Sequence, residues 1–264
     1  MKRVITALSA LAFAWAANAG QSCNEKALTQ TSLHNGMGIA QQVQTQLSRS
    51  NAVVAIVGRI GMDLSEYKVT YTHAGIAFKA AGQPWRIAHL LNGCGTATSD
   101  LWLEGLGNFF LDDLHSYDAV LMLPPPTVQQ RMLQAVASTS ALRAVHNPAY
   151  SMVAYPFALK YQNSNEWVLE MVTTALSKDI AINSREQSQN WLKLAGYQPA
   201  EMRITPLKRL GARMFKASVA FDDHPNELRF SDRIQTVTVD SMMTFFTSRN
   251  EGWQMLPVKA QGQN

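Results

Sequence analysis

The chain has 264 residues, of which 47% are hydrophobic and 16% charged, enough apolar mass for a sizeable core and too little charge for a disordered polyelectrolyte. Its formal net charge is +4, and Lys2 and Arg3 at the extreme N-terminus supply two of those charges, so the remainder carries +2 and no nucleic-acid partner is expected. No internal repeat, low-complexity tract or long Pro/Gly/Ser linker divides the chain.

The first nineteen residues read as an export signal. Lys2 and Arg3 form a basic start, Val4 to about Ala14 is apolar but too short to span a bilayer, and Ala17-Asn18-Ala19 offers small residues for cleavage before Gly20. A periplasmic protein without an integral membrane segment after signal removal is expected, folded as one domain over residues 20–264, with a core at about 50–178 and a C-terminal extension from about residue 200. Gly20-Gln21-Ser22 lacks the pattern of a lipid-modification signal before Cys23. In an oxidising compartment Cys23 and Cys94 are candidates for a disulfide, which adds roughly 4 kcal/mol on a chain-entropy estimate. Two unlinked small hydrophobes, or Cys94 as a nucleophile, are the alternatives; the second is weakened because Asn92-Gly93-Cys94-Gly95 is a turn without a helix N-terminus to lower the thiol pKa.

Hydrophobic periodicity predicts mixed α and β structure. Residues 24 to 48 read as a helix, 52 to 57 as a buried strand, and 69 to 78 and 85 to 91 as strands joined by a turn through Gly82 and Pro84. Residues 117 to 123 form another apolar strand, stopped by Pro124-Pro125-Pro126, and a helix with proline at its start follows over 128 to 137. Residues 143 to 157 read as a loop. Helices are predicted at 164 to 177 and 185 to 195, strands at 213 to 221 and 234 to 239, and a short helix after Asp240.

Three local patterns on this framework carry chemistry: Thr72-His73-Ala74-Gly75-Ile76, Trp85-Arg86-Ile87-Ala88-His89 and Tyr161-Gln162-Asn163-Ser164-Asn165-Glu166-Trp167-Val168. His73 and His89 lie an even number of residues apart, so a hairpin centred near Ala81 places them directly opposite on one face, about 5 Å apart. Ser164 precedes Trp167, Val168, Met171, Val172, Ala175 and Leu176, which recur at helical spacing, so it sits at a helix start on the inward face. Free N–H groups and the dipole there favour a developing anion. The blander readings are two backbone-satisfied histidines and an Asn163 or Ser164 that merely caps the helix.

Taken in order, His73-Ala74-Gly75-Ile76-Ala77, His89 on the next strand and Asn163-Ser164-Asn165-Glu166-Trp167-Val168 resemble the circularly permuted papain-like superfamily. That superfamily includes lecithin-retinol acyltransferase-like enzymes and bacterial cell-wall or lipid hydrolases. With His89-Leu90-Leu91-Asn92-Gly93-Cys94, Tyr150-Ser151 and Asp222-Asp223-His224-Pro225, the chain more closely resembles an exported bacterial family of unknown function within it. The resemblance implies an α+β fold, an antiparallel sheet packed against the helix that carries the nucleophile position. It makes His73 the general base, His89 its orienting partner and Ser164 the nucleophile, where the superfamily carries cysteine. Asn163, Tyr150 and Ser151 are candidates for lining the cleft.

The expected activity is that of a hydrolase or acyltransferase acting on an amide or ester, with a cell-wall peptide or lipid-like substrate and no cofactor or metal. A catalytically silent binding protein on the same scaffold is the alternative, because a serine hydroxyl is far less acidic than a thiol and needs a well-aligned base. A structural envelope factor is a third. Asp222-Asp223-His224-Pro225 reads as a solvated turn before it reads as metal ligands.

Overall fold

The structure is a computed structural model that describes residues 28–112 and 114–260. The expected signal segment, Cys23 and the first residues of the predicted first helix lie outside the described residues. Cys94 is not a free thiol, which removes it as a nucleophile candidate.

Helix α1 (Gln30–Arg49) starts at Thr29, whose side chain accepts from the Ser32 N–H. The strands β1 (Val54–Ile60), β2 (His73–Phe78), β3 (Arg86–Asn92) and β4 (Ser99–Gly105) follow as an antiparallel meander. A short helix α2 (Leu106–Phe110) leads to β5 (Ser116–Leu123), which pairs with the free edge of β1. The last strand, β8 (Gln254–Val258), completes a six-stranded sheet in the order β4-β3-β2-β1-β5-β8. Pro257, which has no N–H for a ladder, sits on that edge strand.

The sheet is covered on both faces, which is why β1 and β5 read as nearly unbroken apolar runs. On one face, Ile39, Val43 and Leu47 of α1 and Phe109 and Phe110 of α2 pack on Ala55, Val57, Ala77, Ile87 and Leu121. Gly36 allows that approach, since a Cβ there would lie 2.5 Å from the Phe110 carbonyl oxygen. The other face carries α3 (Pro126–Val136) and α5 (Ser164–Leu176), with Trp167, Val168, Met171 and Val172 set against Ile56, Ile76, Ala88 and Leu90. Each such fully buried side chain contributes roughly 1.5–3 kcal/mol.

Helix α5 departs from the amphipathic helix of the sequence reading, since every residue except Thr174 is buried. Helix α6 (Arg185–Leu194) and the loop that follows α4 (Thr139–Ala144) cover its polar side. There Arg185 pairs with Glu166 at 2.8 Å and Glu170 at 2.9 Å, and Gln162 donates to Glu170 at 2.6 Å. A buried charge network of this kind survives only because every member finds a partner.

The C-terminal part corrects one expectation. Residues 213 to 221 do not form a strand: Thr205 caps a helix α7 (Pro206–Phe215) that begins on proline, and the chain turns at Lys216. The cap and Pro at the first position outweigh the β-forming residues near Val219 and Phe221. With β6 (Ala200–Arg203), α8 (Asn226–Arg229) and β7 (Arg233–Thr236), this segment builds a two-stranded sheet and a satellite core of Val69, Met202, Val219, Phe221 and Ile234. Helix α9 (Val239–Ser248) follows, capped by Thr238 and longer than the short helix expected after Asp240.

Candidate active site

The hairpin register differs from the expected one by two residues, which keeps the side chains on the expected faces. Ile76 pairs with Ala88 and Phe78 with Arg86, which centres the hairpin on Gly82 and sets Gly75, rather than His73, opposite His89. His73 is therefore the diagonal neighbour of His89 on the same face. Gly75 makes that diagonal passable, because a Cβ on it would lie 3.2 Å from the His89 Cβ and 2.8 Å from Ile87. The two rings stand edge to face with centroids 5.4 Å apart, and both rest on Phe109 of α2.

Helix α5 reaches the histidines at the start of β2. Its start is held by a capping box, in which the Asn163 side chain accepts from the Glu166 N–H and the Glu166 carboxylate accepts from the Asn163 N–H. Asn165 donates to the carbonyl of Thr72, the residue before His73, at 3.2 Å and so ties helix to strand. The result is a line of contacts: Ser164 Oγ lies 3.0 Å from His73 Nδ1, and His73 Nε2 lies 3.0 Å from His89 Nδ1. Beyond it, His89 Nε2 is 3.4 Å from Glu104 Oε2, within ion-pair reach but without the alignment of a hydrogen bond.

One proton arrangement satisfies both hydrogen bonds of the line. If Ser164 donates to His73 Nδ1, then His73 Nε2 carries hydrogen and donates to His89 Nδ1, and the remaining His89 Nε2–H faces the Glu104 carboxylate. Burial, then the charge of Arg59, then His89 push the His73 imidazole well below its ordinary value. Burial and Arg59 likewise bring His89 down to about 3, and Asp112 opposes the shift. Burial raises the Glu104 carboxyl, against the pull of Arg59.

Arg59 is opposite His73 in the β1–β2 ladder, lies over the Phe109 ring, and pairs with Asp112 at 2.7 Å. After burial, its guanidinium is the next largest influence that disfavours the charged form of both imidazoles. Arg59, Glu104, Asn165 and Phe109 were not singled out from the sequence. An arginine inside an apolar strand was the available signal for the first. The others depend on strand register and on a five-residue helix.

Of the residues expected to line a cleft, Tyr150 does so in the same wall as Ser164, pinned by backbone contacts to Ala97 and Gln162 and with its phenol buried. Burial pushes that phenol up to about 12, so it remains a donor at neutral pH. Asn163 and Ser151 are turned inward: Asn163 also donates to Thr236, and Ser151 clamps both backbone groups of Ala220. In the C-terminal motif, Asp222 pairs with Lys160 at 2.6 Å, while Asp223 holds the His224 ring at 2.9 Å and accepts from the Tyr155 N–H. No group of three or more His, Cys, Asp or Glu side chains suited to a metal occurs among the described residues, and no described helix is long and apolar enough to cross a membrane.

Residues 46–246 match the model of a family described as an uncharacterized protein conserved in bacteria, DUF2145. Comparison with curated proteins and with solved structures finds no match.

Proposed function

The chain belongs to the DUF2145 family, and from the geometry of its site we propose that it is a serine acyl-transfer enzyme, a hydrolase or acyltransferase acting on an amide or ester. The observation that carries this reading is the hydrogen-bonded line of Ser164, His73 and His89 at the start of a buried helix, with the Glu104 carboxylate 3.4 Å beyond it. A purely structural serine at that position needs no imidazole 3.0 Å away, because Asn163 already caps the helix. The order of two strand histidines followed by a nucleophile on a helix packed against an antiparallel sheet supports placement in the permuted papain-like superfamily. Serine then replaces cysteine.

In the first step Ser164 Oγ attacks the substrate carbonyl carbon, its proton passes to His73 Nδ1, and the carbonyl π pair moves to oxygen. The Ser164 and Asn165 N–H groups, which the capping box does not engage, and the Tyr150 phenol are the donors offered to that oxyanion. Collapse expels the amine or alcohol, which takes the proton from His73. Water or an acceptor alcohol or amine then attacks the acyl-serine and gives its proton to His73, and collapse breaks the acyl–Oγ bond, with Ser164 taking that proton back as the acid, ester or amide leaves. His89 and Glu104 stabilise the imidazolium that exists only during these transfers. An exported protein with Cys23 joined to Cys94 is the cellular setting of this proposal.

The test is covalent labelling of the purified protein with a serine-directed fluorophosphonate. The adduct should map to Ser164 by mass spectrometry, and Ser164→Ala and His73→Ala should each abolish it. A folded protein that takes no label at Ser164 is instead a catalytically silent binding protein on this scaffold.

A further inference from the structure

Beside Ser164 lies a cleft of about 270 Å³ that the sheet and helix α5 do not form alone. Ser164, His73 and Tyr150 occupy part of its wall. Met62, Val69, Met152, Met202, Val219 and Phe221 supply much of the rest, from the segment before β2, the loop before α5 and the C-terminal extension. Val69, Met202, Val219 and Phe221 are each at most 7% exposed, so this is the surface of a packed apolar cluster.

The backbone of these walls is largely spoken for. The Val69 N–H donates to Leu64, Met152 to Ser218 and Val219 to Lys216, and Met202 lies in the β6–β7 ladder. A peptide would bring an N–H and a C=O per residue into the cleft, and each left unpaired costs roughly 1–3 kcal/mol. An alkyl chain brings none. The lining cations also disfavour a carboxylate-rich peptide: Arg59 is paired with Asp112 and Lys208 with Glu66, which leaves Lys216.

We infer that this cleft is an acyl-chain site, so that the acyl half of the substrate is a medium-length alkyl chain rather than a cell-wall peptide. The inference rests on the proposed acyl-transfer chemistry at Ser164, whose nucleophile stands at the cleft wall where the carboxyl end of such a chain lies. A volume near the lower bound of ligand clefts, about 300 Å³, excludes a long-chain lipid held whole. Three methionines, unbranched and polarizable, let the walls adapt to chains of different shape.

The experiment uses p-nitrophenyl esters running from acetyl through butyryl and octanoyl to palmitoyl. kcat/KM should rise roughly a hundredfold or more from acetyl to octanoyl, as each added methylene is buried, and fall again at palmitoyl. Val219→Trp, which fills the cleft, should shift the preference toward acetyl. In parallel, the Ser164→Ala protein should bind octanoate, read by isothermal titration calorimetry, and bind it more tightly than acetate or palmitate. Ester turnover without chain-length preference, or no fatty-acid binding, overturns the acyl-chain site and leaves the enzyme reading standing. Fatty-acid binding without turnover of any ester overturns the enzyme reading and leaves the site standing. If Val219→Trp does not fold, the wild-type chain-length profile and Ser164→Ala binding decide.

Discussion

At Ser164 the chemistry is matched to its surroundings in a way that the identity of the residue alone does not reveal. A cysteine nucleophile works best as a thiolate beside an imidazolium, but burial and the neighbouring Arg59 disfavour imidazolium at His73. A hydroxyl paired with a neutral imidazole carries no such penalty, because charge develops only as the proton moves. The partner that then matters is the one that meets the charge, and Glu104 is placed for it behind His89. Glu104→Gln should lower kcat by about tenfold, roughly 1.4 kcal/mol, with KM nearly unchanged. The loss is smaller than removal of a buried triad carboxylate would cause, because the Glu104 side chain is 20% exposed and imperfectly aligned. An unchanged kcat, measured on the best ester of the series, removes Glu104 from the relay.

Among the elements, the β2–β3 hairpin and the start of α5 set the site jointly. The hairpin sets the diagonal between the histidines, and Gly75 is the residue that lets the rings approach. Gly75→Ala should destabilise the protein by about 1–3 kcal/mol through overpacking against Ile87, read as a lower urea midpoint at unchanged slope. It should also reduce Ser164 labelling, because the Cβ presses on His89; a variant with wild-type stability and labelling contradicts this account. On the helix side, Glu166 serves two ends at once. Its carboxylate closes the capping box below Ser164 and pairs with Arg185 on α6. Burial, then Glu170, raise the Glu166 carboxyl well above its usual range.

For the whole molecule, the burial of two neutral histidines sets an acid limit on stability. Unfolded, each ring titrates near 6.5; folded, both are lowered, His89 to about 3. Between those values the unfolded chain binds more protons than the folded one, so stability falls as pH drops below about 6.5. Glu166 and Glu170, both raised, work in the opposite direction, losing stability as pH rises through their folded values. The His73→Gln/His89→Gln variant keeps those carboxyls and isolates the histidines. Its loss of stability from pH 7 to pH 5, by urea unfolding, should be smaller than that of the native chain by at least about 1 kcal/mol. Equal losses mean that the rings are not held neutral.

The sequence by itself determined the alternation of α and β elements, the Pro-started helix α3 and the helix that opens at Ser164, because periodicity, proline and capping residues act within a few positions. It also singled out His73, His89 and Ser164, whose chemistry is rare enough in ordered spacing to stand out. Strand β4 escaped it because an edge strand with exposed positions carries little apolar signal, and Glu104 with it, since that carboxylate meets His89 only through the β3–β4 register. The approach of Arg59 and Phe109 to the histidines, the inward turn of Asn163 and Ser151, and the apolar cleft shared by β2, α5 and the C-terminal extension were decided only by tertiary structure. Each joins residues far apart in sequence, and such contacts are set by which faces the packed sheet and helices bring together.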